Sequence, residues 1–236
     1  MNAKEKLLER EREIIRLLNI FIDSQFDFIV VGGYAIATYQ KRFSIDLDLV
    51  IKEKDLKEFE KTCKKEGYVE GYNKEITLLY GEKFKRFVKK IKGLEVNIDF
   101  LINGLVSRST DAVWSFSYIK EHSIEKELDS LRFPTPEREL LIAMKFHSGR
   151  LADIRDVIAL MPCDKKRLKK HLENGSMEKL KESIKKQKVL IEKPQFSDSF
   201  KGIFGVFSYK EEQVRATKQL IDNILRQDAA NNKRNK

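Results

Sequence analysis

Three aspartates have the residue type and spacing that could hold a divalent cation. Asp46 and Asp48 alternate with apolar residues over 45–51, a period that predicts a strand with one face on the core and both carboxylates on the other. The segment 94–102 repeats this alternation and adds Asp99. Carboxylates brought close together repel one another, and such an oxygen ligand set favours Mg²⁺, with Mn²⁺ as the alternative.

Two consecutive glycines upstream have the arrangement of a phosphate-binding turn. A short β-branched strand over 28–31 ends at Gly32 and Gly33, and 34–39 predicts a short helix behind it. Glycines at the start of a helix present backbone N–H groups with no Cβ to block a phosphate. The twelve residues between Gly33 and Asp46 allow the chain to return beside the first strand. An ordinary tight turn is the alternative interpretation.

The segments around these residues predict the elements that must position them. The predicted fold class is α+β, a mixed β-sheet with flanking helices followed by a mainly helical C-terminal region. Further elements of the first part are helices over 3–24 and 55–67 and strands over 76–80 and 86–91 joined by a turn around Gly81. Glu95 and Asn97 share the predicted face of Asp99, so a solvated polar strand is the alternative there.

The pattern changes to helices at Pro134-Thr135-Pro136. Helices are predicted over 137–147, 152–161, 165–190 with a break near Asn174-Gly175, and 210–226, with an irregular segment over 195–209. These predictions divide the chain into a domain over 1–133, a mainly helical region over 134–226 that completes the pocket, and a flexible polar tail over 227–236.

The 236 residues carry an excess of positive charge. Lys and Arg number 47 against 37 Asp and Glu, a formal net charge of +10, which favours a polyanionic partner such as RNA. The stretch 164–193 holds eleven Lys and Arg against five acids. A solvated helix surface is the alternative interpretation of that stretch.

Cysteine content and hydropathy exclude several classes of protein. Cys63 and Cys163 form no metal-binding Cys/His pattern, which argues against a zinc site or a disulfide framework and fits a reducing compartment. The longest nearly apolar run, 28–39, is too short to cross a bilayer, and no signal peptide is evident. We therefore expect a cytoplasmic protein that makes no membrane contact.

The segment VVGGYAIATYQKRFSIDLDLVI resembles the nucleotidyltransferases of the DNA polymerase β-like superfamily. Their signature is a Gly-Gly or Gly-Ser turn, a spacer of about a dozen residues and Asp-x-Asp. The R-x-S-x-D-x-D portion at 42–48 is similar to the AbiEii-like toxin and related minimal nucleotidyltransferases, and Asp99 matches their third carboxylate. The resemblance covers residues 25–102. In the later helices, Lys145 and the segment 150–156 are similar to residues that such toxins place beside the nucleotide.

The resemblance implies Mg²⁺-dependent transfer of a nucleoside monophosphate from an NTP such as ATP to an acceptor hydroxyl. Asp46 and Asp48 would hold the cation that binds the triphosphate. Asp99 would share with them the cation that activates the acceptor and would serve as the general base. The residues implied to bind the nucleotide are Gly32, Gly33, Ser44, Lys145 and Asp156.

The basic charge balance is the reason to favour a nucleic acid as the acceptor, and the resemblance to the toxin branch implies its form. RNA, as a tRNA end, is favoured, and an antitoxin protein is a further expected partner. The alternatives are a protein side chain, an aminoglycoside-type small molecule, or a catalytically silent module that binds RNA or nucleotide. For Lys145 the alternative is a surface lysine, and for Arg150, Asp153 and Asp156 an ordinary set of surface ion pairs.

Overall fold

The computed structural model describes residues 3–71, 84–200 and 210–231. The chain divides into two compact units. The first comprises Met1–Val106 and Val113–Glu137, and the second comprises Ser107–Ala112 and Arg138–Lys236. The second unit therefore begins four residues after the predicted start at 134 and includes a short insertion, 107–112, that the sequence pattern does not indicate.

A mixed five-stranded sheet forms the centre of the first unit, as the α+β prediction requires. Its strands are β1 Phe28–Val31, β2 Asp46–Ile51, β3 Val69–Gly71, β4 Phe84–Ile91 and β5 Leu94–Ile102, in the order β1-β2-β5-β4-β3. β2 and β5 are parallel, and the other neighbours are antiparallel. The predicted strand over 76–80 and the turn at Gly81 lie outside the described residues.

Helices pack one face of this sheet. They are α1 Ala3–Asp23, α2 Gly32–Ala37 and α3 Leu56–Lys65. Phe59 of α3 contacts Phe21 of α1 and Phe100 of β5, with ring centroids 5.1 and 5.4 Å apart. Burial of such aromatic rings is a major source of folding free energy. This apolar face fixes the orientation of β2 and β5, so their intervening residues lie on the opposite face.

Two of the predicted boundaries that differ in the structure lie beside the carboxylates. β2 begins at Asp46 rather than at Ile45, and the Ile45 side chain is 51% exposed. The two glycines are the first residues of α2 rather than a separate turn before it. Ile45 therefore takes no part in the alternation that the rest of β2 follows.

The sequence pattern does not predict the remaining part of the first unit. It contains α4 Phe116–Glu121 and two two-stranded sheets, one of β6 Gly104–Ser107 with β7 Ala112–Ser115 and one of β8 Ser123–Leu128 with β9 Leu131–Pro136. The tip of the β6–β7 hairpin belongs to the second unit. Gly104 has φ +144°, and a Cβ there would lie 2.2 Å from the Trp114 carbonyl oxygen, so only glycine fits.

The second unit is helical, as the sequence predicts. Its helices are α5 Arg138–His147, α6 Ile154–Ala159, α7 Lys165–Leu172, α8 Met177–Ile191 and α9 Glu211–Asn231. The predicted break near Asn174-Gly175 is confirmed, because α7 ends at Leu172 and α8 restarts with Ser176 as its cap. α9 extends to Asn231 and so includes the first part of the predicted tail. Of the irregular segment 195–209, residues 201–209 lie outside the described part.

None of the helices in the described ranges is long and apolar enough to span a membrane.

Candidate metal and nucleotide site

The structure brings the three predicted carboxylates together. Asp48 on β2 pairs with Asp99 on β5 in the parallel register, and Asp46 lies two residues before Asp48 on the same face. One ligand oxygen from each of the three carboxylates lies within 4.8 Å of the others. This donor set consists only of carboxylate oxygens, which suits a hard divalent cation such as Mg²⁺.

A fourth charged residue that the sequence analysis does not single out completes the cluster. Arg86 on β4 pairs with Asp99 in the antiparallel register. Its Nε donates to Asp99 Oδ1 at 2.6 Å and its Nη2 donates to Oδ2 at 2.5 Å. Nη2 also lies 3.8 Å from Asp46 Oδ2. A clue is present in the sequence, since Arg86 lies in a predicted strand, but the neighbouring Lys and Arg residues make it resemble part of a basic surface.

Burial increases the free-energy cost of the charges in this cluster. The side chain of Asp99 is 3% exposed and that of Arg86 is 11% exposed, whereas that of Asp46 is 32% exposed. Burial raises the pKa of Asp99, the charge of Asp46 raises it further, and the ion pair with Arg86 offsets part of this increase. Asp99 thus has a higher proton affinity than an ordinary aspartate, a property that suits a group that accepts a proton.

The two glycines allow the backbone to lie against the carboxylates. A Cβ at Gly32, where φ is +64°, would stand 1.9 Å from Asp48 Oδ2. A Cβ at Gly33 would stand 2.2 Å from Ser44 Oγ and 3.3 Å from an Arg42 guanidinium nitrogen. Since real Cβ atoms do not approach other atoms this closely, a side chain at either position would displace a residue of the cluster. The close approach supports the predicted need for glycine here.

Ser44 contacts an aspartate of the cluster. Its hydroxyl donates to Asp46 Oδ1 at 3.2 Å, so it orients a carboxylate in addition to any contact with a phosphate. The Arg42 guanidinium, placed beside Gly33, adds positive charge to the same end of the sheet. The predicted phosphate contacts of Ser44 and the glycines stay predictions.

Lys145 and Asp156 lie together in the second unit. Lys145 Nζ is 2.7 Å from Asp156 Oδ2 and 3.1 Å from Asp153 Oδ1, and all three side chains are buried. Arg150 also pairs with Asp153 at 2.9 Å. Burial raises the pKa of Asp153, but the charges of Lys145 and Arg150 outweigh it and lower this pKa to about 2. The residues form an ion-pair network, and their role in nucleotide binding stays a prediction.

No protein-family model and no curated protein matches this chain. Among solved structures, a candidate nucleotidyltransferase from H. pylori aligns with 96% of this chain and 97% of its own, at 14% identity and a TM-score of 0.50.

Two further solved structures are similar over parts of the chain. The lincosamide antibiotic adenylyltransferase LnuA, with lincomycin bound, covers 64% of this chain and 95% of its own at 15% identity and a TM-score of 0.47. ANT(2'')-Ia, in complex with adenylyl-2''-tobramycin, covers 90% and 96% at 13% identity and a TM-score of 0.42. The H. pylori likeness and the mixed sheet with its flanking helices show that this chain has the nucleotidyltransferase fold.

Proposed function

We propose that this protein is a divalent-cation-dependent nucleotidyltransferase that transfers NMP from an NTP to an acceptor hydroxyl. The observation that carries the proposal is the convergence of Asp46, Asp48 and Asp99 beside two glycines at which a Cβ would displace Asp48 or Ser44. A structural role alone explains this arrangement poorly, because three adjacent carboxylates repel one another and cost folding free energy.

The proposed roles of the residues follow from their positions. Asp46, Asp48 and Asp99 would hold Mg²⁺, which when bound neutralises phosphate charge and makes the acceptor hydroxyl more acidic. Asp99, the most buried of the three, would accept the proton of the hydroxyl. The backbone at Gly32 and Gly33 leaves room for phosphate oxygens, and the nearby Arg42 guanidinium would stabilise their charge.

For the acceptor we propose RNA, with a tRNA end as the favoured form. α7 has the sequence KKRLKKHL and no acidic residue. Its five Lys and Arg side chains are exposed, while Leu168 and Leu172 face the core of the second unit. Such a one-sided row of cations suits a phosphate backbone. If the chain acts as a toxin, an antitoxin protein would be its second partner.

The test is incubation of the purified protein with each α-³²P-labelled NTP, Mg²⁺ and total cellular RNA. The label is then measured separately on RNA, on protein and on small molecules. We expect label on RNA that disappears when the cation is chelated and in the Asp46→Asn/Asp48→Asn variant. The matched control is Asp23→Asn/Asp55→Asn, which removes two acidic charges of the same unit that lie outside the cluster.

The distribution of the label decides between the acceptors. Metal-dependent label on protein, or on an added aminoglycoside, would replace RNA with that acceptor and retain the reaction. RNA binding without any label, unaltered in Asp46→Asn/Asp48→Asn, would favour a catalytically silent binding module. Absence of NTP binding to the wild-type protein would overturn the enzyme proposal.

A further inference from the structure

Arg86 pairs with Asp99 and lies near Asp46, two of the three carboxylates proposed to hold the cation. We propose that Arg86 is a positioning residue that competes with the divalent cation for Asp99: it holds this carboxylate in the metal-free protein and releases it when the cation binds. The inference rests on the proposed function, because it assumes that the acidic cluster takes a cation. It concerns how readily the cation enters the cluster.

The hydrogen bonds of Asp99 carry the argument. Nε and Nη2 of Arg86 engage its two carboxylate oxygens separately, at 2.6 and 2.5 Å. The same Nη2 lies 3.8 Å from Asp46 Oδ2, so it is close to both carboxylates. Mg²⁺ prefers oxygen ligands, and Asp46 and Asp99 are two of the residues that would hold it. The cation would therefore compete with the guanidinium for the oxygens of Asp99.

The charges of the cluster also favour competition between Arg86 and the cation. The guanidinium of Arg86 offsets part of the negative charge of three carboxylates in a partly buried cluster. Removal of this charge leaves the carboxylates repelling one another and increases their attraction for a divalent cation. The β4–β5 register fixes the backbone of Arg86 opposite Asp99. The long side chain of Arg86 can therefore leave Asp99 by a change of rotamer, without movement of the backbone.

The adjacent residue provides a matched control. Lys85 lies on the same strand, but its side chain points to the other face, where it pairs with Glu60 of α3. Arg86→Gln and Lys85→Gln each remove one positive charge from β4, and only Arg86→Gln removes it from the cluster. Arg86→Lys is a second variant that keeps the charge but cannot form the two-point contact with Asp99.

The experiment is titration of Mn²⁺ into each full-length protein, followed by calorimetry and by electron paramagnetic resonance of the free ion. We expect Arg86→Gln to bind Mn²⁺ at least about tenfold more tightly than wild type. Arg86→Lys should show a smaller increase, and Lys85→Gln should stay within about twofold of wild type. Asp46→Asn/Asp48→Asn should abolish this binding and thereby assign it to the cluster.

The outcomes separate this inference from the proposed function. Mn²⁺ affinity that is unchanged or weaker in both Arg86 variants would overturn the competition and leave the enzyme proposal standing. Tighter binding in Arg86→Gln without nucleotidyl transfer by wild type would support the competition and count against the enzyme. If neither wild type nor Arg86→Gln binds Mn²⁺, both are overturned.

Discussion

Gly32 determines whether Asp48 can remain in the cluster. An alanine at this position would be strained, because φ is +64°, and its Cβ would collide with Asp48 Oδ2 at 1.9 Å. Gly93, in the β4–β5 turn, has a similar φ of +80° with no atom within 4 Å of its Cβ position. An alanine at position 93 would therefore be strained without colliding with another residue.

We predict that Gly32→Ala lowers nucleotidyl transfer about a hundredfold, the effect expected of a misplacement of about 1 Å at a reacting centre. Gly93→Ala should cost about 1–2 kcal/mol of stability and leave transfer unaffected at a temperature where it is folded. Label transfer and urea unfolding of both variants check this. Equal losses of activity in the two variants would mean that strain alone, without a collision at Asp48, explains the defect.

His147 predicts a pH dependence of stability in the second unit. Its side chain is fully buried, and its ring nitrogens contact Thr110 Oγ1 and the Leu172 carbonyl oxygen at 2.7 and 3.0 Å. Burial lowers the pKa of His147 from 6.5 to about 4. Below pH 6.5 the unfolded chain therefore binds a proton that the folded chain does not, so stability falls as the pH falls toward 4.

The expected slope from this one group is at most about 1.4 kcal/mol per pH unit. The His147→Gln variant keeps polar atoms for both contacts and should lose this part of the pH dependence. Urea unfolding of the two proteins between pH 4.5 and 7 checks it, and this range lies above the window in which Asp153 titrates. Parallel stability curves for the two proteins would contradict the assignment to His147.

At the scale of elements, strands with a clear alternation are predictable and those without it are not. β2 alternates polar and apolar residues over 46–49 and β5 does so over 94–100, and this pattern places three carboxylates on one face without any knowledge of the sheet order. Residues 104–136 include four short strands in which side-chain polarity does not follow burial. Val113 and Ile124 are exposed, whereas Thr135 is buried. The sequences of these strands therefore carry little of the period-two signal.

Arg86 shows a second limit of sequence analysis. Its identity as a strand residue is predictable, but its partner Asp99 follows thirteen residues later on another strand. The pairing depends on the β4–β5 register, which a turn at Gly93 sets. One residue of slip would move Arg86 out of line with Asp99. A single sequence does not specify that register with enough precision to reveal the contact.

The link between α5 and α6 yields a prediction about Lys145. Because its ammonium group is buried between Asp153 and Asp156, Lys145→Met should remove an ion-pair partner from two buried carboxylates and cost about 3–5 kcal/mol. Lys145→Met/Asp156→Leu should recover part of this loss. Urea unfolding measures both variants. A loss of NTP affinity in Lys145→Met with stability unchanged would instead support the nucleotide-binding role of Lys145.

At the scale of the whole molecule, the net charge of +10 leaves two interpretations of RNA affinity. Either the total charge attracts RNA without a preferred surface, or the row of cations on α7 forms a defined contact. Both predict weaker binding at high salt, because Lys and Arg displace counterions from the phosphate backbone. The two interpretations differ only in whether the location of the removed charges matters.

We predict that the location of the removed charges matters. Lys165, Lys166, Lys169 and Lys170 of α7, replaced together by Gln, should weaken RNA binding and reduce the slope of log K against log salt by about 0.7 for each phosphate of a single strand that α7 no longer neutralises. Lys57, Lys61, Lys64 and Lys65 of α3 are the matched control, because their replacement removes the same charge from exposed positions in the first unit. Binding and its salt dependence are measured by fluorescence anisotropy. Equal weakening in both quadruple variants would favour net charge alone, and no change in either would remove RNA as the acceptor that α7 recognises.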